Sequence, residues 1–278
     1  MDYGLLIQRN RNELFKHLAQ KNKCTVVETD PVHYMDLRPY IYSSSISEFE
    51  VSYADEMLRS IHFNKLPATI FLGESQSNES RIQALLDRVD SYDKLPIMIA
   101  TQETLTNPNA LIGPDGLVES DVLVGQGILL NREPENLDFK AYNIETEHDL
   151  LRWCKVLAEG LFDNPDMSLA PMRKLFNFTL ADERYLLTLG TVNDEPVSAG
   201  IGYISELEDQ RTIGGLYMIA TAKAYRKRGY GSKLVYKLSK SLFDHGVSFT
   251  ILDASEMGAS LYLKMGYKPV SYSYRFFP

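Results

Sequence analysis

Residues 212–246 constrain the chain more than any other stretch. "TIGGLYMIAT" reads as a strand, "AKAYRKRGYG" as a turn with two closely spaced glycines, and "SKLVYKLSKSLFDHG" as a helix. Leu234, Val235, Leu238 and Leu242 recur at helical spacing and form one apolar stripe, which Gly246 ends. A strand feeding a helix through a glycine turn commits this part of the chain to an α/β arrangement. The first turn of a helix presents unpaired backbone N–H groups and the positive end of the helix dipole. Glycines let an anion approach that backbone closely. Between 223 and 244 the basic residues Lys223, Arg226, Lys227, Arg228, Lys233, Lys237 and Lys240 stand against Asp244 alone, in a chain of formal net charge −8. The stretch reads as a polyanion cradle, most simply for a pyrophosphate. Taken alone, a solvated basic helix start is the plainer reading. The spacing is not the GxxxxGK[ST] of a nucleotide-hydrolysing loop, and the glycines are too few for a dinucleotide turn.

The flanking sequence continues the alternation. Downstream come a strand at 247–254, a short helix at 255–267 and a last strand at 267–277. Upstream, "DFKAYNIET" is a strand whose Thr146 can cap a helix through Leu150, Leu157 and Leu161. A second helical stretch follows at 165–180, and "YLLTLGTV" and "EPVSAGIGYISE" form a hairpin around "NDE". The first half reads as a helix over 3–21, a strand over 24–29 and a helix over 50–63. A buried strand follows over 68–73, then a helix over 79–92 and a strand over 95–101. No chemical motif marks it. Turn residues cluster at 107–116, and 130–138 is the best linker. The expected organisation is an α/β domain over 1–135 and a second domain over 136–278.

Composition narrows the function classes. With 278 residues, 44% hydrophobic and 24% charged, the chain is an ordinary globular one of one large or two modest domains. No apolar run approaches the ~18 residues of a membrane span. The first twenty residues read as an amphipathic helix, not a signal peptide. Cys24 and Cys154 are the only cysteines, so a disulfide framework is not expected and a reducing cytoplasm is. The sequons at Asn78 and Asn177 are then chance matches. The five histidines show no HxxxH or HxH pairing, so no metal site is expected. The acidic balance argues against nucleic acid as a partner.

Residues 139–278 resemble the GCN5-related N-acetyltransferase (GNAT) family. The family's acyl-CoA signature, R/Q-x-x-G-x-G/A after a strand, stands here as Arg226-x-x-Gly229-x-Gly231. The family's downstream helix, roughly N-x-x-A-x-x-L-Y-x-x-x-G-F, matches Ser255 to Tyr267 with Leu261, Tyr262 and Gly266 in place. The chain looks like a two-part subgroup whose first half is a degenerate acetyltransferase-like or subgroup-specific unit. There are departures. Lys223 stands where many members have proline, and Ser255 replaces the usual asparagine. One strand follows Gly266 where many members have two, so either the last strand is missing or another part of the chain, such as the first half, supplies it.

The resemblance implies a GNAT fold: a mixed, mostly antiparallel sheet flanked by helices, behind an N-terminal α/β domain. It implies acetyl-CoA as cofactor, with backbone groups of Ile219, Ala220 and Thr221 holding the pantetheine arm. The turn from Arg226, Lys227, Arg228 and Gly229 to Tyr230, Gly231 and Ser232 would hold the pyrophosphate, and Ser255 would add a polar contact. A strand N–H near Ile219 would stabilise the oxyanion, and Tyr262 would be the general acid. Tyr262 read on spacing alone is equally a core aromatic. Base candidates are Glu206, Glu208, Asp209, Glu256 and the Pro278 carboxylate. The expected function is N-acetyl transfer to a primary amine of a small molecule or peptide by direct attack. The alternative is a non-catalytic acyl-CoA sensor or interaction module. Nothing in the sequence specifies the acceptor or an oligomeric state.

Overall fold

The computed structural model describes residues 1–29, 31–38, 44–65, 68–108 and 139–278. The linker at 130–138, the domain boundary placed there and the 107–116 turns beyond residue 108 lie outside the described residues.

The sequence's alternation closes into one eleven-stranded sheet. In chain order the elements are α1 (Tyr3–Lys21), β1 (Thr25–Thr29), β2 (Val32–Asp36), β3 (Ser44–Phe49), α2 (Ala54–Phe63), β4 (Ala68–Gly73), α3 (Glu79–Leu86) and β5 (Tyr92–Ala100). The second half has β6 (Phe139–Asn143), α4 (Glu147–Gly160), α5 (Ala170–Phe176), β7 (Tyr185–Val192), β8 (Glu195–Glu206) and β9 (Thr212–Thr221). It ends with α6 (Tyr230–Asp244), β10 (Phe249–Asp253), α7 (Glu256–Lys264) and β11 (Lys268–Phe276). The strand order is β1-β2-β3-β4-β11-β5-β10-β9-β8-β7-β6. Among the described strands, only β3–β4 and β9–β10 are parallel pairs.

Several local signals decide these elements. Thr146 caps α4 by accepting from the Asp149 N–H at 3.1 Å, and Asp2 caps α1 in the same way. Asn193 and Asp194 both take positive φ, 48° and 66°, which closes the β7–β8 hairpin. The predicted α6 stripe is fully buried at Leu234, Val235, Leu238 and Leu242. Three readings differ from the structure, the first being that the helix expected over 165–180 begins only at Ala170. The helix expected over 79–92 stops at Leu86, and Tyr92 already begins β5. Strands β2 and β3 have no counterpart in the sequence reading; "SSISEF" has the polar, serine-rich look of a loop although it is held as a strand between β2 and β4.

The two halves repeat one topology. Each has a three-strand meander, a helix leading to a parallel fourth strand, a second helix and a fifth strand: β1-β2-β3-α2-β4-α3-β5 and β7-β8-β9-α6-β10-α7-β11. The fifth strands are exchanged. β5 pairs with β10 of the other half, β11 pairs with β4, and β5 and β11 pair with each other in the middle. The strand that the second half needs after Gly266 therefore comes from the first half.

Helices cover both faces. Leu14, Leu18 and Ala19 of α1 share one core with α4, α5, β7 and β8. On the opposite face, α6 and α7 pack on β10 and on Met98 and Ala100 of β5, while α2 and α3 pack on β4 and β11. Burying each large aliphatic side chain in these layers stabilises by about 1.5–3 kcal/mol. No helix of the described residues is long and apolar enough to cross a membrane.

Candidate active site

Strands β9 and β10 pair in parallel only from Ile213↔Phe249 to Gly215↔Ile251. Beyond that point β9 runs on to Thr221 and β10 to Asp253 with no ladder pair between them. The cause lies on β9. Met218 takes φ 52°, and the β8–β9 register jumps there from Tyr217↔Ile201 to Ala220↔Ala199. This bulge re-aims the strand and opens a split in the middle of the sheet. Trp153 of α4 secures it from one face, donating Nε1–H to the Gly200 carbonyl at 3.1 Å. Ile219, Ala220 and Thr221 form the β9 lip, with Ala220 buried and Ile219 packed toward α6 and α7.

The turn after this lip has the form of an anion nest. Lys227 has φ 60°, and Gly229, the N-cap of α6, has φ 78°. Arg226 N–H donates to Lys223 O and Lys233 N–H to Gly229 O. Between them, the six backbone N–H groups of Lys227, Arg228, Gly229, Tyr230, Gly231 and Ser232 have no partner among the described residues. The space beside Gly229 is open, with no heavy atom within 4 Å of a Cβ placed there. Gly231 is tighter: a Cβ would lie 3.2 Å from Thr221 Oγ1 and 3.7 Å from Leu261 Cδ1, so the turn, the β9 lip and α7 converge there.

The cationic side chains divide. The Arg226 guanidinium is engaged by backbone, donating Nε–H to Thr221 O at 3.1 Å and Nη2–H to Gly160 O at 2.8 Å. It ties the end of β9 to the end of α4. Lys223 pairs with Asp163, and Arg228 lies 5.6 Å from the Tyr225 ring centre. Lys227 is exposed, and its side chain makes no hydrogen bond or ion pair among the described residues. Tyr230 turns inward, stacked on Phe139 at 5.3 Å, so only its backbone faces the nest. The fit is to a phosphate-bearing ligand held chiefly by main-chain N–H groups with cations at the rim.

Helix α7 forms the other wall. Ser255 is its N-cap, accepting the Gly258 N–H at 3.2 Å. Tyr262 is buried, edge-on to Tyr267 at 5.7 Å, and its hydroxyl has no hydrogen bond among the described residues. Burial, and then the neighbouring Tyr267, raise its pKa, so the phenol keeps its proton at neutral pH. Gly258 makes room for it, because a Cβ would stand 2.9 Å from Tyr262 Cε2. Tyr267 is occupied by Ser239 and Thr250 at 2.8 and 2.9 Å. The first half closes this end: Thr106 N–H donates to Met265 O at 3.0 Å.

The base candidates read from the sequence fall at separate places in the fold. Glu208 pairs with Arg9 and Asp209 with Arg211, both at the hairpin end of β9. Glu256 is exposed, and Phe277 bonds Ser91 at the far end of β5 from its contact with β10. The carboxylate that does stand at the split is Asp253, at the end of β10, ion-paired with Arg11 of α1. Its one signal in the sequence is an acid closing an otherwise apolar strand, "FTILD".

Residues 183–269, which contain the bulge, the nest and Tyr262, match the family model described as an acetyltransferase (GNAT) domain. The chain carries a GNAT acetyltransferase domain. Solved structures show that the fold extends beyond the matched segment. A GCN5-related N-acetyltransferase from Kribbella flavida superposes with a TM-score of 0.61 at 13% identity, covering 97% of this chain and 95% of that one. A functionally unknown conserved protein from Staphylococcus epidermidis gives 0.52 at 12% identity over 91% and 92% of the two chains. A GCN5-related N-acetyltransferase from Sphaerobacter thermophilus gives 0.51 at 14% identity over 88% and 76%. No curated protein matches the sequence. These likenesses show that the fold is shared over nearly the whole chain.

Proposed function

We propose that the chain is an acetyl-CoA-dependent N-acetyltransferase that acetylates a primary amine of a small molecule or peptide by direct attack. One observation carries this reading: six unpaired N–H groups from Lys227 to Ser232 open beside a split between parallel strands. Acetyl-CoA supplies the acetyl group as an activated thioester. The Lys227–Ser232 N–H groups would bind its pyrophosphate, with Lys227 and Arg228 neutralising charge from the rim. Arg226 shapes the nest by clamping Thr221 and Gly160. The unpaired β9 edge at Ile219, Ala220 and Thr221 would align the pantetheine arm, and a β9 N–H there would stabilise developing negative charge on oxygen. Ser255 keeps α7 capped and offers a hydroxyl at its mouth. Tyr262, held protonated by burial, would give a proton to the departing sulfur.

Calorimetry with acetyl-CoA, followed by thiol release over a library of primary amines, tests the reading. Tyr262→Phe is expected to lower turnover by about 10²-fold with acetyl-CoA affinity changed by less than about twofold. A protein that binds acetyl-CoA, releases no thiol with any amine and is indifferent to this substitution would be an acyl-CoA sensor instead.

A further inference from the structure

Arg11 and Asp253 form a buried ion pair between the halves, with side chains 5% and 10% exposed. Arg11 Nη2 meets Asp253 Oδ2, and the guanidinium carbon lies 4.4 Å from the Phe71 ring centre and 6.0 Å from that of Tyr217. The pairing is only half complete. Arg11 Nη1 and Asp253 Oδ1 are both buried without a partner among the described residues. A pair serving only as a clasp between the halves gains most by using both forks at once. A buried carboxylate lone pair left open is costly and asks for a donor.

The open lone pair stands at the split. Asp253 lies two residues beyond the last β9–β10 pair, Gly215↔Ile251, and Tyr217 lies the same number beyond it on β9. That is about 7 Å past the point where the strands part. Both residues point to the α1 face: Ile251 packs with Ile7 of α1, and a Cβ on Gly215 would strike Asn10 Oδ1. Leu252, Ala254 and Tyr262 belong to the opposite face. The split thus has a protonated phenol on one side and an ionisable carboxylate with a free oxygen on the other.

We propose that Asp253 Oδ1 receives the acceptor amine as an ammonium ion and takes its proton, and that Arg11 of the first half is the positioning residue that fixes this carboxylate. This rests on the acetyltransferase reading above. One N–H proton passes to Oδ1, and the freed nitrogen lone pair forms the C–N bond as the C–S bond breaks. The sulfur takes the Tyr262 proton, the second surplus nitrogen proton returns to Tyr262 through solvent, and Asp253 sheds its proton to solvent. One proton is released per transfer. The first half thereby contributes to the active site from α1, as well as supplying β5.

The test needs no knowledge of the natural acceptor. S-aminoethyl-CoA, a stable thioether, carries an ammonium group near the nitrogen's place, and S-propyl-CoA is its uncharged counterpart. By calorimetry on the full chain at pH 7, the aminoethyl compound is expected to bind at least about tenfold more tightly. Asp253→Asn should abolish that preference and leave S-propyl-CoA affinity intact. Arg11→Met should shrink the preference, and Arg11→Lys should keep most of it, outcomes a purely structural clasp does not predict. If Asp253→Asn alone misfolds, the charge-matched double substitution Arg11→Met with Asp253→Asn replaces it. If that misfolds too, the wild-type comparison decides. Equal binding of the two thioethers, or a preference that survives Asp253→Asn, overturns the proposal. Failure of the wild type to bind even S-propyl-CoA overturns the acyl-CoA reading itself, a separable result.

Discussion

Gly229 and Gly266 have nearly the same backbone, φ 78° and 86°, and opposite surroundings. A Cβ on Gly229 meets nothing, whereas one on Gly266 would sit 1.7 Å from the Thr104 carbonyl oxygen. Gly229→Ala should therefore cost only the left-handed backbone term, about 1 kcal/mol. Gly266→Ala adds a collision with main chain and should cost about 3 kcal/mol or more. Denaturant midpoints of the two variants at unchanged slope check the contrast. Gly229 was legible in the sequence, because glycine spacing before an amphipathic helix has a local meaning. Gly266 was legible only as a turn, since Thr104 comes from the other half of the chain. Arg226 shows the limit of charge counting: the cationic run suggested a phosphate ligand, yet its guanidinium is bonded to two carbonyls.

At the scale of elements, α6, the β7–β8 hairpin and the cap at Thr146 followed from periodicity and turn chemistry. The β9 bulge had no sequence signal, because "LYMIAT" reads as an unbroken strand. The placing of α1 was also hidden: its amphipathic pattern shows that it packs, not what it packs on. Its His17 meets Tyr185 at 2.6 Å and Arg184 at 3.0 Å, beside Asp182. Burial, then Arg184, lower the His17 pKa below 6.5, with Asp182 opposing and Lys21 adding to the shift. The folded state therefore binds this proton less readily than the unfolded chain, and stability falls as pH drops below about 6.5. Hydrogen bonds from Arg184 lower the Asp182 pKa below 3.8, against desolvation. Its stabilisation is present above that value and is lost as pH falls through the folded pKa. Thermal melts should show two steps of acid destabilisation, and His17→Gln should flatten the upper one, between pH 7 and 5, while leaving the lower. An unchanged upper step in that variant would place its origin elsewhere.

The described residues form two copies of one topology and, among them, a single nest. Where the β9–α6 junction carries Arg226, Lys227, Arg228 and Gly229, the equivalent β3–α2 junction carries Glu50, Asp55 and Glu56 and no glycine, so like charge disfavours a phosphate there. The first half keeps the architecture and lends parts. Its β5 pairs with β10 and, from Tyr92↔Phe276 to Ile99↔Lys268, with β11, and its Met98 and Ala100 complete the core under α6 and α7. Residues 139–278 alone would leave the β10 edge bare, β11 without either neighbour and that core open. Exposed strand edges over an unfilled core favour aggregation over a native state. We expect residues 139–278 produced alone to show no cooperative thermal transition. Co-produced with residues 1–108, they should form a one-to-one complex that melts once, because the exchanged strands bind each half's folding to the other's. Circular dichroism melts with size-exclusion chromatography distinguish the outcomes. A stable, monomeric 139–278 fragment with a sharp transition would show that β5 is dispensable, and that the halves are joined by contact and not by a shared sheet.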